Sequence, residues 1–307
     1  MSRKLYGALV LLSLIWGGSF FFIKMLLHHF DPLTIALLRS GTGLIVISGI
    51  MVALRQPLQV TRLPWVPMIA AGLLNTTLPW ALIAFSETRV TSGMASVLNA
   101  TTPIWTLVTG VVLFGNPFRR TQGVGLAIAT VGLLILLRVN PVSIISVDPV
   151  GFFAMVTATL CYGLSAQLSK RYLTGLSMYQ TTFGTLLCGV VGSGIAAFTL
   201  EDVSFAPLAS PEVWGLLFGL GALGSGVAYV LFYFMIQRGS PEFATNVTYL
   251  VPVTAILWGA SLLGEELHWS LLAGLAFILG GVYIANRKTM PAKAGYSRRI
   301  PAGRAKG

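Results

Sequence analysis

The amino-acid sequence predicts an all-α membrane protein with ten transmembrane helices, arranged as two inverted five-helix repeats. Composition, the spacing of apolar blocks and an internal duplication carry that expectation. Of 307 residues, 55% are hydrophobic and 9% charged, against roughly 25% charged in an average soluble domain. Mean hydropathy is +0.81, and the apolar residues run in long blocks. Residues 70–138 recur as 219–287, offset by 149 without a gap, with 16 identities in 69 positions. The matched residues are those that fix backbone geometry. Arg89 lies over Arg238, Pro103 over Pro252, Gly110 over Gly259, Gly115 over Gly264, Gly132 over Gly281 and Arg138 over Arg287.

A spanning helix needs about 20 predominantly apolar residues. In chain order the blocks fall at about 5–27, 33–54, 66–86, 91–114, 121–138, 149–169, 178–199, 212–237, 241–263 and 270–287. The first follows Arg3 and Lys4 as a signal peptide would. It carries Phe20-Phe21-Phe22 and Lys24 where a small-residue cleavage site belongs, so it reads as a span. Upstream of residue 70 the repeat offset becomes 146, placing Trp16-Gly17-x-Ser19 over Tyr162-Gly163-x-Ser165 and Lys24 over Lys170. The expected organisation is a first repeat at 1–138, a second at 139–287 and a basic, disordered tail at 288–307. The breaks between blocks are mostly short, the longer ones lying near 55–65 and 200–211, and leave no room for a separate soluble domain.

The net charge of +11 is a topological signal. With ten spans both termini share one side. That side collects sixteen of the twenty Lys and Arg residues, including Arg119, Arg120, Lys170, Arg171 and the tail. Lys and Arg bias sets orientation, so both termini are expected in the cytoplasm, in a bacterial inner membrane. The basic excess meets anionic lipid, and nucleic acid is not an expected partner. Because each repeat has five spans, the second enters the membrane upside down relative to the first. Inverted-topology repeats are a common build of secondary transporters, with a central site opened alternately to each side.

Polar side chains within hydrocarbon are costly unless they face a partner or a wet cavity. Residues at i, i+4 and i+8 share a helix face, as Ser225, Tyr229 and Tyr233 do, with Thr76 and Trp80 at the matching positions of the first repeat. Asn99 and Thr248 continue the pattern in the fourth and ninth blocks, Trp16 and Ser19 in the first, and Tyr162 and Ser165 in the sixth. A bonded-to-backbone or interfacial role is the plain alternative for each residue alone. The recurrence in both repeats favours a shared cavity. Pro103 and Pro252 sit mid-block, where each removes a backbone hydrogen bond and kinks its helix. Arg39 is the one ionised residue well inside a block, about two turns from its outer end. It either snorkels to the surface or binds a carboxylate of protein or substrate.

Other chemistry is disfavoured. No Asp, Glu or His lies near the middle of a block, so proton relay through a buried acid is not expected. There is no phosphate loop, no basic cluster to meet a phosphorylated cargo, and no metal-ligand spacing at His28, His29 or His268. No cofactor, metal or catalytic residue is expected, and Cys161 and Cys188 read as small apolar residues.

The Trp16-Gly17-Gly18-Ser19-Phe20 start, Arg39 in the second block and the Pro-x(11)-Gly ends of the fourth and ninth blocks resemble the drug/metabolite transporter superfamily. Within it the chain is similar to the EamA family, which includes YddG-type amino-acid exporters. In that family the ninth span is followed by Gly-Glu. Here Gly264-Glu265 keeps the pair while Gly115-Asn116 departs from it, leaving a symmetric role for the acid unsupported. The resemblance implies export of small metabolites, often amino acids, through a central cavity. A monomer suffices for such transport, and the sequence sets no oligomeric state. Aromatic stripes and a buried cation fit neutral or aromatic amino acids. A broad drug or metabolite exporter of the same fold, and a membrane interaction or lipid-handling protein without a small-molecule site, are the other readings.

Overall fold

The computed structural model describes residues 3–58, 63–90, 92–136, 148–263 and 269–285. The expected tail and the Gly264-Glu265 pair lie outside them. Among the described residues all regular structure is helical, and six stretches are long and apolar enough to cross a membrane: Arg3–Leu26, Pro32–Ala53, Trp65–Glu87, Pro149–Tyr172, Met178–Leu200 and Pro211–Arg238.

The first stretch is α1 (Arg3–Gly17) and α2 (Ser19–Leu26), broken at Gly18. Next comes α3 (Pro32–Ala53). The third stretch is α4 (Trp65–Gly72), a π-helical segment at Leu73–Thr77, and α5 (Leu78–Glu87). The fourth block divides into α6 (Ser92–Asn99) and α7 (Thr102–Val112), and α8 (Arg120–Leu136) follows. The second half has α9 (Pro149–Tyr172), α10 (Met178–Leu200), then α11 (Pro211–Leu217), a π segment at Phe218–Val227 and α12 (Ala228–Arg238). It ends with α13 (Pro241–Thr245), α14 (Val247–Leu263) and α15 (Trp269–Ala285).

Helix starts follow capping chemistry. Proline opens α3, α9, α11 and α13, where its missing N–H costs nothing. Asp148 accepts from the backbone N–H of Val150 and Gly151 at 2.8 and 3.0 Å, and these bonds, that from Gly151 foremost, hold its carboxyl below its ordinary range. Ser177 and Gln180 form a capping box on α10. At α3 the preceding Asp31 makes no side-chain cap. Glu201, at the end of α10, takes that role, accepting from Leu33 N, Thr34 N and Thr34 Oγ1 at 2.7–2.8 Å. Glu201→Ala should therefore cost about 1 kcal/mol, read as a melting temperature about 2–4 °C lower in detergent. An unchanged melting curve would show that water replaces this clasp.

Two kinds of contact recur at positions related by the sequence offsets. Lys24 donates to the Glu87 carbonyl at 2.8 Å, and Lys170 donates to the Ile236 carbonyl at 2.9 Å. Each ammonium meets carbonyls left open at a helix C-terminus. A Cβ on Gly17 would lie 3.1 Å from Ala255 N, and one on Gly163 would lie 2.7 Å from Thr106 N. These are positions related by the 146 and 149 offsets. Gly125 abuts Gly281, and Gly132 abuts Gly274, so α8 and α15 run antiparallel. Large apolar side chains point outward, among them Val66 at 83% and Leu272 at 72% exposure. Such exposure is a penalty in water and is what lipid accepts.

Pro103 and Pro252 differ in effect. Pro103 lies in the first turn of α7, just after the break at Ala100–Thr101. Its missing N–H leaves the Asn99 carbonyl to the Thr102 hydroxyl, at 2.7 Å. Pro252 lies inside the continuous α14, and the break in that half comes earlier, at Asn246. The expected matched interruption is displaced between the two halves.

Candidate functional site

The two π segments shape the centre of the bundle. A π turn inserts an extra residue and shifts which side chains share a face. In the first segment this turns Asn75 inward, where its Nδ2 donates to Tyr233 Oη at 2.9 Å and its carbonyl accepts from Tyr229 Oη at 3.3 Å. In the second, Trp16 Nε1 donates to the Gly224 carbonyl at 2.8 Å, and Ser225 Oγ donates to the Leu220 carbonyl at 3.2 Å. That leaves the Ser225 oxygen to accept from Arg39 Nε at 2.9 Å.

Arg39 is 5% exposed and turns into the bundle, so it does not snorkel. Its guanidinium carbon lies 4.0 Å from the centre of the Trp80 ring. Ring stacking and one directed hydrogen bond hold a planar cation in a single orientation. Glu87, wholly buried at the end of α5, lies within electrostatic reach of it. That carboxylate is at the end of its span, and the fold buries it there.

Around Arg39 is a cavity of about 50 Å³, lined by Trp16, Ser19, Phe20, Ile23, Arg39, Asn75, Ile83, Asn99, Thr102, Tyr162, Tyr229, Phe232, Thr245, Thr248 and Val251. That volume holds a few waters, at about 10–15 Å³ each, and a larger ligand requires its walls to separate. Trp16 meets Tyr229 and Phe232 at ring distances of 5.8 and 5.6 Å, forming an aromatic wall. Among the described residues two buried lining atoms have no hydrogen-bond partner, Ser19 Oγ and Asn99 Oδ1.

Of the residues singled out from sequence, Trp16, Ser19, Arg39, Asn99, Tyr162, Tyr229 and Thr248 meet at this cavity. Four stand behind its wall. Thr76 bonds the Gly72 carbonyl. Ser165 reaches across to the Ala71 carbonyl. Tyr233 is held by Asn75. Trp80 carries Arg39 on its face and packs edge-on against Tyr229 at 5.7 Å. For Thr76 the cause is the π turn, which gives its expected place to Asn75. Asn75 and Phe232 were not expected from the sequence, and a π turn leaves no periodic signal by which to find Asn75; Thr245, on the same polar stripe as Thr248, also lines the cavity. Trp80→Ala should impair transport through loss of the Arg39 platform, while membrane insertion is kept. Unimpaired flux in that variant would show that Arg39 needs no aromatic support.

Comparison with known proteins places this geometry among transporters. The model of the EamA-like transporter family matches residues 4–138 and again 149–287. The chain is 29% identical over 279 residues to the "Uncharacterized inner membrane transporter YedA" of Escherichia coli (strain K12), covering 89% of this chain and 88% of that protein. It is 25% identical over 296 residues to the "Probable amino-acid metabolite efflux pump" of Salmonella typhimurium (strain LT2), covering 92% and 95%. A solved crystal structure matches with a TM-score of 0.74 at 18% identity, over 92% of this chain and 98% of its own. That last likeness is one of fold.

Proposed function

The chain belongs to the EamA-like transporter family, and from that premise we propose a secondary transporter that exports neutral, chiefly aromatic, amino acids. Cargo passes by alternating access through the cavity around Arg39. The observation that carries this reading is a buried, oriented cation beside an aromatic wall and unpartnered polar atoms, all at the bundle centre. A carboxylate suits the guanidinium, and an aromatic side chain suits Trp16, Tyr229 and Phe232.

The family match on each half and the contacts exchanged by the offsets support two inverted five-helix repeats, at 1–138 and 139–287. An antiparallel glycine-to-glycine crossing of α8 and α15 is what a two-fold axis in the membrane plane produces. Both termini then lie in the cytoplasm, the 170–177 loop with them and the 200–211 loop outside. Reporter fusions at these four places test the topology. A cytoplasmic signal from 200–211 would remove the inverted arrangement.

Transport is tested with purified protein in liposomes and a panel of radiolabelled amino acids. Uptake or counterflow of phenylalanine, tyrosine or tryptophan above protein-free liposomes is expected. Flux of cationic or unrelated amphipathic compounds without any amino acid would replace this reading with a broader exporter.

A further inference from the structure

We propose that the cavity recognises its ligand at two points, reading a carboxylate and, separately, a hydrogen-bond donor next to it. The proposal rests on the transport reading above and deepens it. The carboxylate point is Arg39. Ser225 takes its Nε and Trp80 its face, so the two η nitrogens remain for a ligand, in the fork geometry that pairs with two carboxylate oxygens.

The donor point is Asn99 with Ser19. Each is 7% exposed and lines the cavity, and among the described residues Asn99 Oδ1 and Ser19 Oγ are without a partner. Asn99 ends α6 and Ser19 begins α2, two helices packed side by side. Ser19 Oγ is also 3.6 Å from where a Cβ on Gly224 would sit, next to the Ser225 that positions Arg39. The two points therefore share one wall of the cavity.

An amide oxygen only accepts hydrogen bonds. Left alone in a buried site it is unsatisfied, and a ligand that brings an N–H or O–H to it is selected over one that does not. A carboxylate alone satisfies Arg39 and leaves Asn99 open. An amine alone does the reverse, and brings no carboxylate to the η nitrogens of Arg39. An α-amino acid answers both.

The test measures binding of three probes to the purified full chain: L-phenylalanine, 3-phenylpropionate, which lacks the donor, and 2-phenylethylamine, which lacks the carboxylate. For the parent protein, phenylalanine should bind about 10-fold or more tighter than either analogue. Asn99→Leu should weaken phenylalanine about 10-fold and leave 3-phenylpropionate within about twofold. Asn99→Asp keeps an acceptor oxygen in place, and should retain phenylalanine binding while rejecting the anionic analogue. Arg39→Gln should weaken phenylalanine and 3-phenylpropionate alike and spare 2-phenylethylamine. Equal loss of phenylalanine and 3-phenylpropionate in Asn99→Leu, with Asn99→Asp no better, would overturn the donor point while leaving amino-acid transport in place. Binding of none of the three to the parent would overturn the transport reading, and this proposal with it.

Discussion

Arg39→Ala should lower the proposed amino-acid flux about 10- to 100-fold, the scale of a lost hydrogen bond to a charged group, while the protein remains folded and inserted. The alanine leaves Ser225 its bond to the Leu220 carbonyl and leaves Trp80 packed on Tyr229, so the wall survives without its cation. Arg39→Lys recovers part of the flux. A lysine restores the charge but neither lies flat on the indole nor grips two carboxylate oxygens at once. Flux is measured in liposomes at matched protein density, with a melting curve as the control for folding. Parent-like flux in both variants would return Arg39 to a structural role.

The second large effect is at the glycines where helices cross. At Gly281 an added Cβ would stand 2.5 Å from Ala129 N and 2.5 Å from Gly125 O, and at Gly163 it would stand 2.7 Å from Thr106 N. These neighbours are backbone, which cannot rotate away as a side chain can. Gly281→Ala and Gly163→Ala should each cost about 1–3 kcal/mol or more by overpacking. The stated loss is seen as lower folded yield and an earlier detergent melting transition. Gly7, Gly41 and Gly49 meet nothing within 4 Å of an added Cβ. Alanine there should be neutral or stabilising, by up to about 1 kcal/mol of helix propensity. Equal effects at both sets would mean that close backbone approach is not what these crossings require.

The difference between these two sets of glycines explains what was legible in the sequence. Gly17 with Gly163, Lys24 with Lys170, and Gly125 and Gly132 with Gly274 and Gly281 recur at fixed offsets; the two lysine contacts each stay within one half, and the glycine contacts cross from one half to the other. Residues that fix backbone approach or close a helix end are constrained by geometry, so duplication exposes them. Arg39 was legible for a different reason, since a lone charge in a long apolar block has few places to go. The π segments were not legible. Leu73–Thr77 and Phe218–Val227 have no period that separates them from α-helix, and the first of them gives the inward place of Thr76 to Asn75. Glu201 was hidden for another reason. Its partners, Leu33 and Thr34, are far away in the chain and present only backbone N–H groups and one hydroxyl. No side-chain pattern records such a bond.

In the proposed mechanism this cavity is reached in turn from both sides of the membrane. Thr248→Cys places a thiol in its lining, in a background where the buried Cys161 and Cys188 are replaced by alanine. A membrane-impermeant maleimide is then applied to right-side-out and to inside-out vesicles, with and without phenylalanine. Labelling from both sides is expected, slowed on each by phenylalanine and less so by 2-phenylethylamine at the same concentration. Labelling from neither side, or from one side only whatever the ligand, would contradict transport through this cavity.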